Sequence, residues 1–180
     1  YQSDYSGASI KLYRAFLRAN YMVKINSLNA LYGKKFGSFG EVEPPKMFAA
    51  KKLSGMPYYF DWADYREYYV TRSLARIADM FRDRGVKGVP VYHNGGFPTR
   101  ILTNLTKIEE KIDVHGMDFY SFRQSGYGGI KEWASYLDVM SRMPFIPEMG
   151  CGSWHTLKPR MPEDEEFVNL AAFMHGIKAV

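Results

Sequence analysis

Between Ser9 and Tyr21 the apolar positions Ile10, Tyr13, Phe16, Leu17 and Tyr21 recur at helical spacing on one face, which predicts an amphipathic helix. From Asn26 to Pro45 the pattern breaks: Gly33, Gly37, Gly40 and the pair Pro44-Pro45 predict an irregular loop, continued from Lys46 to Pro57. A long helix is then expected from Asp61, whose carboxylate would cap the free N–H groups of its first turn, with Asp64 adding favourable charge. Its buried stripe would be Trp62, Tyr65, Tyr69, Leu74, Ile77, Ala78 and Phe81, its wet face Arg72, Arg76, Asp79 and Arg82, and its left-handed terminator Gly85.

Short elements alternate after it. Val89 to Asn94 reads as a strand, with Pro90 at its start where a lost N–H is tolerable. Thr99 to Lys111 reads as a short helix, Ile112 to Tyr120 as a strand, and Ile130 to Arg142 as a helix with Trp133, Tyr136, Leu137 and Met140 inward. Pro144 to Met149 is a third strand, and Glu163 to Gly176 a last helix with Phe167, Leu170, Ala171 and Met174 on its apolar face. Such alternation predicts an α/β fold with parallel strands and helical crossovers. A barrel and an open doubly wound sheet both satisfy it, and three strands alone close no barrel, which takes eight strands and about 250 residues. No internal repeat and no low-complexity segment interrupts the pattern.

Composition narrows the picture. The chain has 180 residues, 46% hydrophobic and 24% charged, as an ordinary globular domain has. Its 14 Tyr, 12 Phe and 3 Trp can build a large core, and they can equally form platforms for sugar rings. The formal charge is +5, but the basic residues are dispersed, in pairs no denser than Lys34-Lys35 and Lys51-Lys52. That argues for solvated surface charge and against a nucleic-acid partner. The single Cys151 excludes an internal disulfide framework, and no apolar run has membrane-spanning length, so no membrane partner is expected. The chain opens on Tyr1 without Met and ends on Val180, and a piece of a longer protein is expected.

In α/β folds, functional residues gather at the C-terminal ends of the strands. Here those ends hold His93-Asn94, then Asp118-Phe119-Tyr120, then Glu148 followed by Cys151, Trp154 and His155. Glu148 closes the apolar strand PFIPEM, and a carboxylate at the mouth of a core is costly unless it is hydrogen-bonded or functional. Each candidate also has a plain alternative. Glu148 can simply emerge into solvent, Tyr120 and Asn94 can be packing residues, and Trp154 can plug a barrel mouth. Cys151 and His155 make two ligands, short of a four-ligand zinc site, and His93, His115 and His175 are scattered, so no metal and no cofactor is expected. Gly126 to Gly129 lacks the Lys-Ser/Thr of a phosphate loop and reads as a rim loop.

The ordered set of segments resembles retaining β-galactosidases of glycoside hydrolase families thirty-five and forty-two, both built on the large (β/α)₈ barrel. Residues 5–46 are similar to the segment that follows the acid/base Asn-Glu motif there, with an aromatic-rich helix, Leu28-Asn29 to Tyr32-Gly33, and the exit Phe39 to Pro45. Residues 61–94 resemble the fourth helix and fifth strand, IDVHGMDFY the sixth strand, PFIPEMGCGSW the seventh, and AAFMHGIKAV the last helix before an eighth strand that is cut off.

The resemblance implies part of a TIM barrel over residues 1–180, its C-terminal half without the last strand, that needs the rest of its barrel. It also implies retaining hydrolysis by two carboxylates. Glu148 would be the nucleophile. Tyr120 would donate to it, Asn94, Asp118 and His155 would bind sugar hydroxyls, and Trp154 would stack on a galactose ring. The Asn-Glu motif itself is expected upstream of Tyr1, since Glu41 and Glu43 lie in a loop rather than at a strand end. A carbohydrate substrate is the expected partner, and homo-oligomers are compatible with the sequence. A barrel that binds carbohydrate without cleaving it, and a hydrolase of another β-linked sugar, are the alternatives.

Overall fold

The computed structural model describes residues 4–95, 107–108, 110, 112–120, 128–150 and 161–180. The chain divides into two units, Tyr1–Tyr69 and Val70–Val180.

In the first unit, α1 (Gly7–Asn20) starts where the Ser6 side chain accepts from the Ser9 N–H at 3.2 Å, satisfying a free first-turn donor. Ile25, Leu28 and Tyr32 share one face, and they fold Ile25–Tyr32 into α2 where an irregular loop was expected. Gly33, at φ 62°, ends α2 in the left-handed conformation that a side chain disfavours. Beyond it the glycines do mark irregular chain, carrying only the single turns Phe39–Glu41 and Leu53–Gly55. Tyr13, Leu17, Leu28, Tyr32, Val42, Trp62 and Tyr65 form the core of this unit. Trp62 and Tyr65 stack at 5.3 Å, and Tyr13 meets Trp62 edge-on at 5.0 Å.

The long helix α3 (Pro57–Asp83) begins one turn before the expected Asp61. Proline suits a first helical position, where its absent N–H would have had no partner. Asp61 therefore caps nothing; it lies inside α3 and accepts from the hydroxyls of Tyr21 at 2.7 Å and Tyr32 at 2.5 Å. The buried strip of α3 is narrower than its apolar stripe: Trp62, Tyr65 and Ala78 are buried, while Tyr69, Ile77 and Phe81 are exposed. Gly85, at φ 90°, ends the helix as expected, and the Val86 N–H returns to the Phe81 carbonyl at 3.1 Å.

In the second unit, β1 (Tyr92–Gly95) pairs in parallel with β2 (Val114–Met117), in the register Tyr92↔Val114 to Gly95↔Met117. Pairing starts at Tyr92 rather than at the expected Val89. Parallel bridges Phe119↔Met149 and Phe145↔Ala179 place the 144–149 segment beside β2 and residues 178–180 beyond it. The parallel sense is what helical crossovers require. The last helix ends at Met174, and Lys178 already donates to the Pro144 carbonyl at 2.8 Å, so the chain leaves the helix earlier than expected and finishes in a strand pairing.

Helices α4 (Gly128–Met140) and α5 (Pro162–Met174) cover one face of these strands. Met117, Phe119 and Ile146 from the strand segments meet Ile130, Ala134 and Leu137 of α4, and Val168 and Ala172 of α5. Tyr136, expected inward on α4, is exposed, and so are Phe167, Leu170 and Met174 on α5. The buried line of α5 is set by Val168 and Ala172, with Ala171 packed beside them; small side chains let the helix approach closely. Gly128 and Gly129, expected in a rim loop, form the first turn of α4. Most of the helix expected over 99–111 lies outside the described residues; Lys107 and Ile108 are helical within it. Ile108, Ile112 and Ala78 make a separate small core with Leu74 and Val91.

Candidate active site

The C-terminal ends of β1, β2 and the 144–149 segment bring four of the six candidate residues together. Glu148 is exposed and accepts two hydrogen bonds. Asn94 on β1 donates to its Oε2 from Nδ2 at 3.1 Å, and the Tyr120 hydroxyl donates to its Oε1 in a short contact. Asp118 lies half-buried beside them. Trp154 and His155, with Cys151, lie outside the described residues.

Two tethers hold the end of β2. The Asp118 N–H donates to the Gly95 carbonyl at 2.9 Å, and the Trp133 indole N–H of α4 donates to the Asp118 carbonyl at 2.9 Å. Trp133 was expected only as a core residue. What its ring adds is a hydrogen bond that anchors the carbonyl of Asp118, the residue before Phe119. Gly150 is a second residue that pattern reading missed. A Cβ there would come within 2.7 Å of the Tyr120 ring, so only glycine lets that ring lie against the chain after Glu148. The signal available in the sequence was a glycine two residues beyond the strand-end carboxylate.

Electrostatics separates the two carboxyl groups. Burial, then the nearby Glu148 carboxylate, raise Asp118 to about 6, and a hydrogen bond from Asn94 works against both. The bond to Glu148, then burial, raise Tyr120 to about 12, so the phenol keeps its proton and acts as a donor across the physiological range. Among the described residues, no group of three or more His, Cys, Asp or Glu is placed to hold a metal ion. A cavity of about 560 Å³ lies between Arg82, Val86 to Pro90 and Asp113, at the N-terminal ends of β1 and β2 and away from these carboxylates. Arg82 there is paired with Asp113 at 3.2 Å.

On the register pair His93↔His115 the two imidazoles stack at 5.3 Å with planes 5° apart. His115 is fully buried, and neither of its ring nitrogens has a partner among the described residues. Burial, and then the neighbouring His93, depress it to about 4. It is therefore neutral in the folded chain, whereas the unfolded chain binds the proton near ~6.5. Stability that is complete above that pH is lost as the pH falls toward the folded value. The expected loss between neutral pH and the His115 value is on the order of 2–3 kcal/mol. Urea midpoints across that range should show it in the parent and not in His115→Leu; equal pH dependence in the two would contradict it.

Solved structures share this fold. The chain superimposes on a β-galactosidase from Rahnella sp. R3 with a TM-score of 0.80 and 19% identity, covering 100% of this chain and 28% of that one. A β-galactosidase from the psychrophilic Marinomonas ef1 gives 0.77 and 18%, covering 99% and 30%, respectively. One from Bacillus circulans sp. alkalophilus gives 0.75 and 18%, covering 100% and 28%. The chain thus spans under a third of the length of these enzymes. No curated protein sequence matches it. The family model of glycoside hydrolase family 42, β-galactosidase, matches residues 1–180 from end to end. The chain belongs to that family.

Proposed function

We propose that this chain is part of the catalytic (β/α)₈ barrel of a retaining β-galactoside hydrolase, with Glu148 as its nucleophile. The observation that carries the proposal is a strand-end carboxylate held by two side-chain donors, Asn94 and Tyr120. Donors of this kind favour the ionised form, which is the form that attacks. Glu148 attacks the anomeric carbon as the bond to the aglycone breaks, and the departing oxygen takes a proton from a second carboxyl group. In retaining enzymes the two lie about 5–5.5 Å apart, and the second is supplied here by residues outside this chain. Water then attacks the glycosyl-enzyme, the second carboxylate takes the water's proton, and Glu148 leaves as carboxylate with the anomeric configuration preserved.

Asn94 and Asp118 offer polar groups to the sugar hydroxyls beside the nucleophile, and His155 adds another. Trp154 stacks on the less polar face of the ring. The test is proton NMR of an aryl β-galactoside turning over in the complete enzyme that contains this chain. The first-formed sugar should be the β-anomer. A first-formed α-anomer would overturn the mechanism. A folded enzyme that binds galactose without hydrolysing any β-glycoside would make this a carbohydrate-binding barrel instead.

A further inference from the structure

Asp118 sits one residue past the last register pair of β1 and β2, Gly95↔Met117. Its N–H donates to the Gly95 carbonyl at 2.9 Å, and its carbonyl takes a hydrogen bond from the helix layer, where the Trp133 indole N–H donates to it at 2.9 Å. That carbonyl shares one planar peptide group with the Phe119 N–H, and across a trans peptide the two point in opposite directions. The Phe119 N–H donates to the carbonyl of Glu148, again at 2.9 Å. A single rigid peptide thus lies between the indole and the main chain of Glu148, and hydrogen bonds in such a chain polarise one another. The next peptide is tied as well: the Gly150 N–H donates to the Phe119 carbonyl at 2.9 Å, so Phe119 is bonded to both residues that flank Met149. The indole is itself held in place. It packs against the core of this unit, with its ring 6.3 Å from that of Phe119, so its N–H is aimed by packing.

We propose that Trp133 is a positioning residue: through the 118–119 peptide it fixes where the main chain of Glu148 lies, and so where the carboxylate stands against the anomeric carbon. The inference rests on the reading of Glu148 as nucleophile. The same peptide leads within one residue to Tyr120, whose hydroxyl donates to Glu148 Oε1. The nucleophile and one of its donors therefore take their placement from one plane. Reaction rates fall steeply when a reacting group is displaced, by about 100-fold for roughly 1 Å, so a small tilt of that plane is enough to matter.

Trp133→Phe in the complete enzyme tests it, because it keeps an aromatic ring in the core and deletes the N–H. It should lower kcat about 20-fold with KM changed by less than about threefold, since what is lost is the placement of the attacking group rather than a sugar contact. Leu137→Val separates this from mere loosening of the helix. Leu137 lies one turn further along α4, fully buried in the same core, and has no part in the hydrogen-bond chain. Shortening it should lower the melting temperature yet leave kcat within about twofold of the parent. If Trp133→Phe does not accumulate as folded protein, Trp133→benzothienylalanine, with sulfur in place of the N–H, replaces it. A kcat within about twofold of the parent once the N–H is gone, or an equal fall in kcat for Leu137→Val, would overturn the positioning role. Glu148→Gln, assayed alongside, keeps the two readings apart. Its inactivity together with an unimpaired Trp133→Phe overturns only the positioning role, whereas its full activity overturns the nucleophile.

Discussion

Glu148→Gln in the complete enzyme is expected to lower turnover of aryl β-galactosides by about ten-thousandfold, with the fold intact. The glutamine keeps the size of the side chain and can still accept one hydrogen bond, but its amide cannot attack the anomeric carbon. A strand-end glutamate without a chemical role would give a different result, since exposed side chains contribute little to folding or turnover. The melting temperature should stay constant or rise. Glu148 is the second cause of the raised Asp118 carboxyl, so removing its charge lets Asp118 ionise more easily in the folded chain. A gain in stability on removing a functional group is the usual direction of such a trade. Activity near the parent's would end the case for this residue.

Tyr120→Phe should be the next largest loss, about 100-fold in kcat, the scale found when one preorganised donor is taken from an active-site charge. The hydroxyl donates to Glu148 Oε1, and the ring lies against Gly150, so phenylalanine keeps the packing and deletes only the bond. Because Tyr120 is held at about 12, it donates throughout the range in which glycosidases are assayed, and the loss should be nearly the same from pH 6 to pH 9. A Tyr120→Phe variant within about threefold of the parent would show that the bond to Glu148 has no bearing on catalysis.

The parallel strand order was legible because crossover helices leave few alternatives once apolar runs alternate with amphipathic ones. The rim residues were legible for a related reason: the strand ends are where side chains leave the core. Asn94, Asp118, Tyr120 and Glu148 converge although they are separated by up to 54 residues in sequence. What their patterns did not show was pairing. Nothing in the spacing of Trp133 says that its indole reaches a carbonyl on β2, because a core tryptophan and an anchoring one have the same period. Helix faces were misjudged where the apolar stripe is wider than the surface that covers it. Phe167 and Leu170 are as apolar as Val168, yet the neighbouring small residues decide which line of α5 packs closest. The glycine and proline signals of residues 26–45 hid α2, whose short face of Ile25, Leu28 and Tyr32 is completed by distant partners from α1 and α3 and by Val42. Asp61 looked like a helix cap because capping and tyrosine-binding aspartates are the same residue until the tyrosines are in place.

The central claim is that Glu148 forms a covalent bond to the sugar. Incubating the complete enzyme with an activated 2-deoxy-2-fluoro-β-galactoside slows both steps, the second more than the first, and should trap the glycosyl-enzyme. Peptide mass spectrometry should then find one fluorogalactosyl group per active site, on Glu148 within the segment PFIPEM. Inactivation with the label on another carboxylate would contradict the account, as would turnover with no covalent adduct at all.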